Sequence, residues 1–288
     1  MGHWFRLGDL DLLIVSDGTI RQDAGATFGL VPRLMWERYT PELDDKHRIP
    51  VGLNSLVIRL AGKSILIDTG VGTKETRAPG AMVIEGSGRL LASLAAAGVQ
   101  PTDIDIVVNT HLHFDHCGGN TAHEDGVPVP AFPRARYFIQ KGEWEAASHA
   151  NERTRGTYLA ENFEPIGDAR QVELVSGEVE LARGVRIVPA PGHTEDHSVI
   201  EMESGGQYGL YVGEISQYPV MLERLAWISA FDVLPLVSLE TKRRLMDWAV
   251  EKRALLISVH AQYPGVGRLR EDGGRRRWEE AIEGGPDS

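Results

Sequence analysis

The segment Asn109-Thr110-His111-Leu112-His113-Phe114-Asp115-His116-Cys117-Gly118-Gly119-Asn120 constrains this chain more than any other. Four side chains able to ligate a metal fall within six positions, directly after the apolar run Ile104–Val108. On extended backbone, residues two apart point to the same side. His111 and His113 can therefore face one cation from the end of a strand, while Asp115 and His116, beyond a turn, can face a second. Gly118 and Gly119 let the backbone bend tightly beside them. Imidazole nitrogen suits zinc, iron, copper or nickel, and a carboxylate balances the charge of a dication. An isolated histidine is more often an ordinary core or surface residue. Three histidines and an aspartate buried together without a metal would be costly.

A site of this kind needs ligands from elsewhere, and two further histidines are presented in the same manner. His193 follows the apolar run Val185–Pro189 through Ala190-Pro191-Gly192, and His260 ends the run Leu255–Val259. Histidines at the ends of three separate strands point to one shared sheet edge.

Short apolar runs alternating with helical patterns give an α/β (α+β) class. The expected strands are Leu10–Ser16, Ser55–Leu60, Ser64–Asp68, Ile104–Asn109, Arg136–Ile139, Val185–Pro189, Ser198–Met202, Tyr208–Val212 and Leu255–Val259. The expected helices are Gly88–Ala97, Lys141–Ser148 and Leu239–Lys252. Ala61-Gly62-Lys63 reads as a tight hairpin. The chain of 288 residues reads as a single domain spanning residues 1–288. Within it, residues 18–50 are rich in Pro, Gly and charge yet carry Phe28, Leu30, Leu34, Met35 and Trp36, as a surface loop, a lid or a dimer contact would. Residues 270–288, with Arg275, Arg276 and Arg277, read as a solvated C-terminal tail.

A net charge of −11 repels a phosphate backbone and argues against nucleic acid as a partner. Cys117 is the single cysteine, which suits a reducing compartment. Neither a signal-peptide pattern nor a run of about 18 apolar residues is present, so the expectation is a cytoplasmic protein acting on a small molecule, away from membranes, with a homodimer compatible with the Phe28–Trp36 cluster.

The HxHxDH run, the later Pro191-Gly192-His193-Thr194, the pair Gly213-Glu214 and the strand-end His260 resemble the metallo-β-lactamase superfamily, as does Leu66-Ile67-Asp68-Thr69-Gly70. The likeness extends from Ile14 to about Leu269. It is specific for fold and metal binding and weakly specific for substrate. It implies a four-layer αββα sandwich with two divalent metals at one edge: zinc foremost, with iron, manganese or cobalt as alternatives. His111, His113 and His193 would hold the first metal, and Asp115, His116 and His260 the second. The family's bridging acid is an Asp after Gly. This chain has Glu214 there, a longer side chain that must fold back or shift the metals.

The implied activity is hydrolysis of a lactone, carboxylic ester or phosphotriester by metal-activated water, similar to the lactonase and methyl-parathion-hydrolase group. Asp115 would orient the nucleophile, and Tyr218 would donate to the developing oxyanion. Phe114 and Tyr218 would contact substrate, with Tyr158, His197 and Trp227 as further pocket candidates. A non-catalytic metal-binding member and a mononuclear-iron persulfide-dioxygenase-like enzyme are the alternatives. Cys117 beside His116 reads as a small buried residue rather than a nucleophile.

Overall fold

Period-two alternation in two long strands already divides the core. In the computed structural model, which describes residues 2–74, 83–86 and 88–281, the first sheet takes β1 (His3–Leu7), β2 (Leu10–Asp23), β3 (Arg48–Leu60), β4 (Lys63–Ile67), β5 (Val83–Glu85) and β6 (Ile106–Val108). After a separate hairpin of β7 (Thr121–Glu124) and β8 (Val127–Pro130), it gains β9 (Arg136–Gln140) and β10 (Val172–Val175). Its order is β1-β2-β3-β4-β6-β9-β10, with β5 on β2. The second sheet takes β11 (Val179–Ala182), β12 (Val185–Pro189), β13 (Ser198–Ser204), β14 (Gln207–Tyr211), β15 (Leu255–Ile257), β16 (Val266–Asp272) and β17 (Arg275–Glu280), in that order. The helices are α1 (Ala24–Phe28), α2 (Arg33–Trp36), α3 (Leu90–Ala96), α4 (Phe114–Cys117), α5 (Lys141–Ser148), α6 (Glu164–Asp168), α7 (Pro219–Glu223) and α8 (Pro235–Lys252).

Leu12 and Ile14 of β2 and Leu56 and Ile58 of β3 face the second sheet, where Val185, Ile187, Ile200, Met202 and Ile257 meet them. The intervening Leu13, Val15 and Val57 point the other way, onto Leu90 and Leu94 of α3 and Ile166 of α6. On the far side, Val199, Leu210 and Leu256 pack on Leu245, Met246 and Ala249 of α8. The result is the αββα sandwich that the resemblance implies. Each fully buried aliphatic side chain in these layers contributes about 1.5–3 kcal/mol.

Besides the strands β1, β7, β8, β10 and β11, which were not expected, two longer segments differ from expectation. Residues 18–50 are not a loop throughout: β2 runs on to Asp23 through a register shift between Ser16 and Thr19, and β3 begins at Arg48. Phe28 and Trp36 stack at 5.1 Å inside a satellite core, whereas Leu30 and Leu34 are 102% and 84% exposed. Polar residues at the bulge, Asp17 and Gly18, hide the strand's continuation. Residues 270–281 are largely solvated, as expected, but they form no loose tail: β16 and β17 extend the second sheet as a hairpin joined at Gly273-Gly274. Most of its cross-strand pairs are charged, as with Arg268 opposite Glu279 and Glu271 opposite Arg276, and only Leu269 opposite Trp278 is apolar, so no apolar period betrays it. The remainder of that segment lies outside the described residues.

Asp17 ties the bulge to the loop beneath the metal-ligand candidates. Its Oδ2 accepts from Val71 N at 2.9 Å and Gly72 N at 3.0 Å, and its Oδ1 from Leu90 N at 2.8 Å. Removing it strands three buried donors. Asp17→Ala is expected to lower stability by about 3 kcal/mol or more, seen as a fall in the urea midpoint with an unchanged slope.

Candidate metal centre

β6 ends at Val108, and the chain stays extended long enough for alternation to operate. Leu112 is buried in the core beneath, while His111 and His113 on either side of it face the opposite way. His113 precedes the single turn of α4, which carries Phe114, Asp115 and His116. Asp68, just past β4 with a left-handed φ of 53°, organises this segment. It accepts from Thr110 N and Thr110 Oγ1, both at 2.8 Å, and from His116 Nδ1 at 2.9 Å.

The second sheet supplies the rest. Gly192 takes φ 145°, and a Cβ there would lie 2.3 Å from Ser238 Oγ, so only glycine lets His193 approach the start of α8 so closely. His193 Nδ1 donates to Asp232 Oδ1 at 3.0 Å. Glu214 follows β14, and its backbone N–H donates to His197 Nε2 at 2.9 Å. His260 Nδ1 donates to the Gly52 carbonyl of β3 at 2.9 Å, across the two sheets.

These seven side chains converge. His111, His113, His193 and Glu214 place one ligand atom each within 4.8 Å of one another, and so do Asp115, His116, Glu214 and His260. Glu214 belongs to both groups. Its Oε2 lies 2.8 Å from His116 Nε2 and 3.4 Å from the Nε2 atoms of His111 and His193, while its Oε1 lies 3.4 Å from His260 Nε2. Asp115 Oδ2 stands 3.7 Å from His116 Nε2 and 3.8 Å from His260 Nε2. The extra methylene of Glu214 thus does not carry the carboxylate out of the cluster.

Burial pushes the pKa values of His111 and His113 well below the usual imidazole range, and neighbouring imidazoles add to the effect. Burial acts the same way on His116, but Asp115 and Asp68 outweigh it and hold the ring well above that range. Burial opposes ionisation of Glu214, yet His193 and His260 with the contacts from His111 and His116 hold its carboxyl well below the carboxylate range. Burial raises Asp115.

His111 Nε2, His116 Nε2, His260 Nε2 and Glu214 Oε2 are buried with no hydrogen-bond partner outside this cluster. Each such orphan costs about 1–3 kcal/mol, and all four share one centre. His116, His193 and His260 each spend Nδ1 on a carboxylate or carbonyl, which turns Nε2 inward. That is the usual arrangement around a bound cation, so the donor set fits divalent metals.

A pocket of about 180 Å³ opens over this cluster, lined by His113, Asp115, His193 and Glu214 on one side and by Phe114, Ala230, Phe231 and Val233 on the other. Tyr218 does not line it. Its hydroxyl donates to the Tyr39 carbonyl at 3.1 Å and its ring packs edge-on to Phe28, which corrects the expectation of an oxyanion donor and substrate contact. Tyr158 is likewise engaged, donating to Glu143 Oε1 at 2.9 Å. Trp227 is buried in the satellite core and His197 beneath Glu214. Burial pushes the Cys117 thiol up, so it does not supply a thiolate. Sequence reasoning missed Asp232 as the partner of His193, and Glu143, which accepts from Leu112 N at 2.9 Å and Thr194 Oγ1 at 2.6 Å. No spacing signal points to either.

The family model of the metallo-beta-lactamase superfamily matches residues 48–244. An N-acyl homoserine lactonase of a Bacillus species is 28% identical over 174 residues, covering 60% of this chain and 62% of that relative. Another, from Bacillus cereus, is 32% identical over 120 residues, 41% of each. The chain therefore spans about 62% of the length of the lactonases it matches most extensively. Among solved structures, a probable metal-dependent hydrolase from Staphylococcus aureus superposes with a TM-score of 0.85 at 25% identity, covering 97% of this chain and 100% of that one. AidC, a dizinc quorum-quenching lactonase in complex with a product, superposes at 0.82 with 22% identity, covering 99% and 98%, a likeness of fold.

Two outcomes follow from the hydrogen bonds around the cluster. Asp232→Ala frees His193 Nδ1 and is expected to weaken metal retention about 10–100-fold in competition with a chelator. Burial lowers His197 to about 3. The unfolded chain therefore binds this proton first, so the stability held by neutral His197 is present above about pH 6.5 and falls as pH drops towards 3. Urea titrations of metal-free protein between those limits are expected to show a shallower pH slope for His197→Asn than for the wild type.

Proposed function

Because the chain belongs to the metallo-beta-lactamase superfamily, we propose that it is a hydrolase of small lactones or carboxylic esters, with phosphotriesters as the less favoured class, and that it works with two divalent metals, zinc foremost. The observation that carries this reading is the position of Glu214. Its two oxygens stand among imidazoles of both groups, so one carboxylate serves both. That sharing favours a dinuclear hydrolase over a mononuclear iron enzyme. His111, His113 and His193 would hold one cation, Asp115, His116 and His260 the other, and Glu214 would lie between them. Such cations, when bound, supply a nucleophile from water near neutral pH and a Lewis acid for the oxygen that gains charge.

The chain's own residues do the rest. Asp68, Asp232 and the Gly52 carbonyl fix the imidazoles of His116, His193 and His260, so these three need not reorient during reaction. Asp115, on the pocket wall, would orient the attacking water, take its proton and return it to the leaving alkoxide. Phe114, Phe231 and Val233 form an apolar wall against which an acyl chain packs, and they keep bulk water from the reacting carbonyl. The lactonase names among the relatives support the ester class.

The test is turnover on an N-acyl lactone, an aryl ester and a phosphotriester, before and after chelator treatment and after re-addition of zinc, manganese, cobalt or ferrous iron. Metal-dependent turnover, greatest on the lactone, is expected, and its absence on all three would sink the proposal. Asp115→Asn is expected to lower kcat about 10²–10⁴-fold. Phe231→Ala is expected to raise KM for long-acyl lactones with kcat little changed, as measured by steady-state kinetics.

A further inference from the structure

Arg38 beside α2, Arg224 at the end of α7, and Arg275, Arg276 and Arg277 of the edge strand β17 come from three distant parts of the chain and line one groove of about 890 Å³. We propose that this groove is a binding site for a small ligand carrying two or more phosphate groups, separate from the metal centre and independent of the hydrolase reading. The chain as a whole is acidic, with a net charge of −11, yet five arginines and only two carboxylates line this groove, Arg275 and Arg277 from one face of β17 and Arg276 from the other. Both carboxylates are already engaged: Glu223 Oε1 accepts from Trp278 N at 2.9 Å, and Glu271 lies 3.4 Å from Arg276 Nε. Arg276 is half-buried and paired also with Asp247 of α8. Among the described residues, Arg38, Arg224, Arg275 and Arg277 have no ion-pair partner.

Four uncompensated cations held at one groove repel one another, and a multiply charged anion relieves that repulsion. Guanidinium forks match phosphate oxygens bidentately. Two of the arginines are also pre-positioned. Arg38 and Arg224 both donate to the Tyr39 hydroxyl, at 3.0 and 3.2 Å, and each lies over an aromatic ring, Tyr39 and Trp227 respectively. Less ordering entropy is then lost when an anion binds. The walls differ from those of the catalytic pocket, which contains none of these residues.

The test is calorimetric titration of the intact protein with pyrophosphate at low and raised salt, on the wild type, on the double variant Arg275→Ala/Arg277→Ala and on Arg38→Ala. Saturable binding of one pyrophosphate per chain is expected. It should weaken with salt, fall about tenfold or more in the double variant, and fall less in Arg38→Ala. Because the substituted side chains are exposed, circular dichroism should match the wild type. Absence of saturable binding, or binding that survives the double substitution unchanged, overturns the proposal. The second outcome would place the pyrophosphate elsewhere, including on metals at the catalytic centre.

Discussion

The carboxylate of Glu214, inserted among imidazoles of both groups, is the interaction around which the molecule is arranged. Five histidines and two carboxylates stand together in a buried centre, where desolvation penalises every charge. Such a cluster persists only if attractive partners outnumber the repulsive ones and a cation completes the balance. The opposite shifts of His111, pushed down by burial, and His116, held up against burial by Asp115 and Asp68, show how finely the partners are distributed.

The sandwich supplies what this balance needs. Each sheet delivers its ligands on short turns at one edge, and hydrogen bonds stitch the two edges together. Ser198 N donates to the Thr110 carbonyl at 2.9 Å, Asn54 Nδ2 donates to the carbonyls of Ser258 and Ala261, and His260 reaches Gly52. The ligand turns are thereby held from both sides. Asp68 alone receives Thr110, His116 and Tyr211, the last at 3.3 Å. A buried carboxylate with this many donors is rigid, and rigidity is what a preorganised centre requires.

Much of the fold was legible because β2, β3, β4 and β12 are buried on both faces, between the other sheet and a helix layer, and so read as short continuous apolar runs. The ligand run was legible for a different reason: ionisable residues at metal spacing have few other uses in a chain. What stayed hidden has physical causes. The continuation of β2 past Asp17 was masked by a bulge whose polar side chains bond backbone, Ser16 locally to Gly18 and Asp17 to the distant Val71. The hairpin of β16 and β17 was masked by charged cross-strand pairs that look like a solvated tail. Tyr218 looked available because it follows Glu214 closely in sequence, but its hydroxyl finds the Tyr39 carbonyl instead.

The sequence by itself determined the α/β class and the identity of the candidate ligands, since apolar runs and donor chemistry are local properties, while the four-layer arrangement was legible only through the resemblance to the metallo-β-lactamase superfamily. Only the tertiary structure decided that Glu214, despite its extra methylene, reaches both groups, that Asp232 orients His193, and that five arginines from three segments line one groove. Those facts depend on distances between residues far apart in the chain. They are set by how two sheets pack rather than by any local pattern.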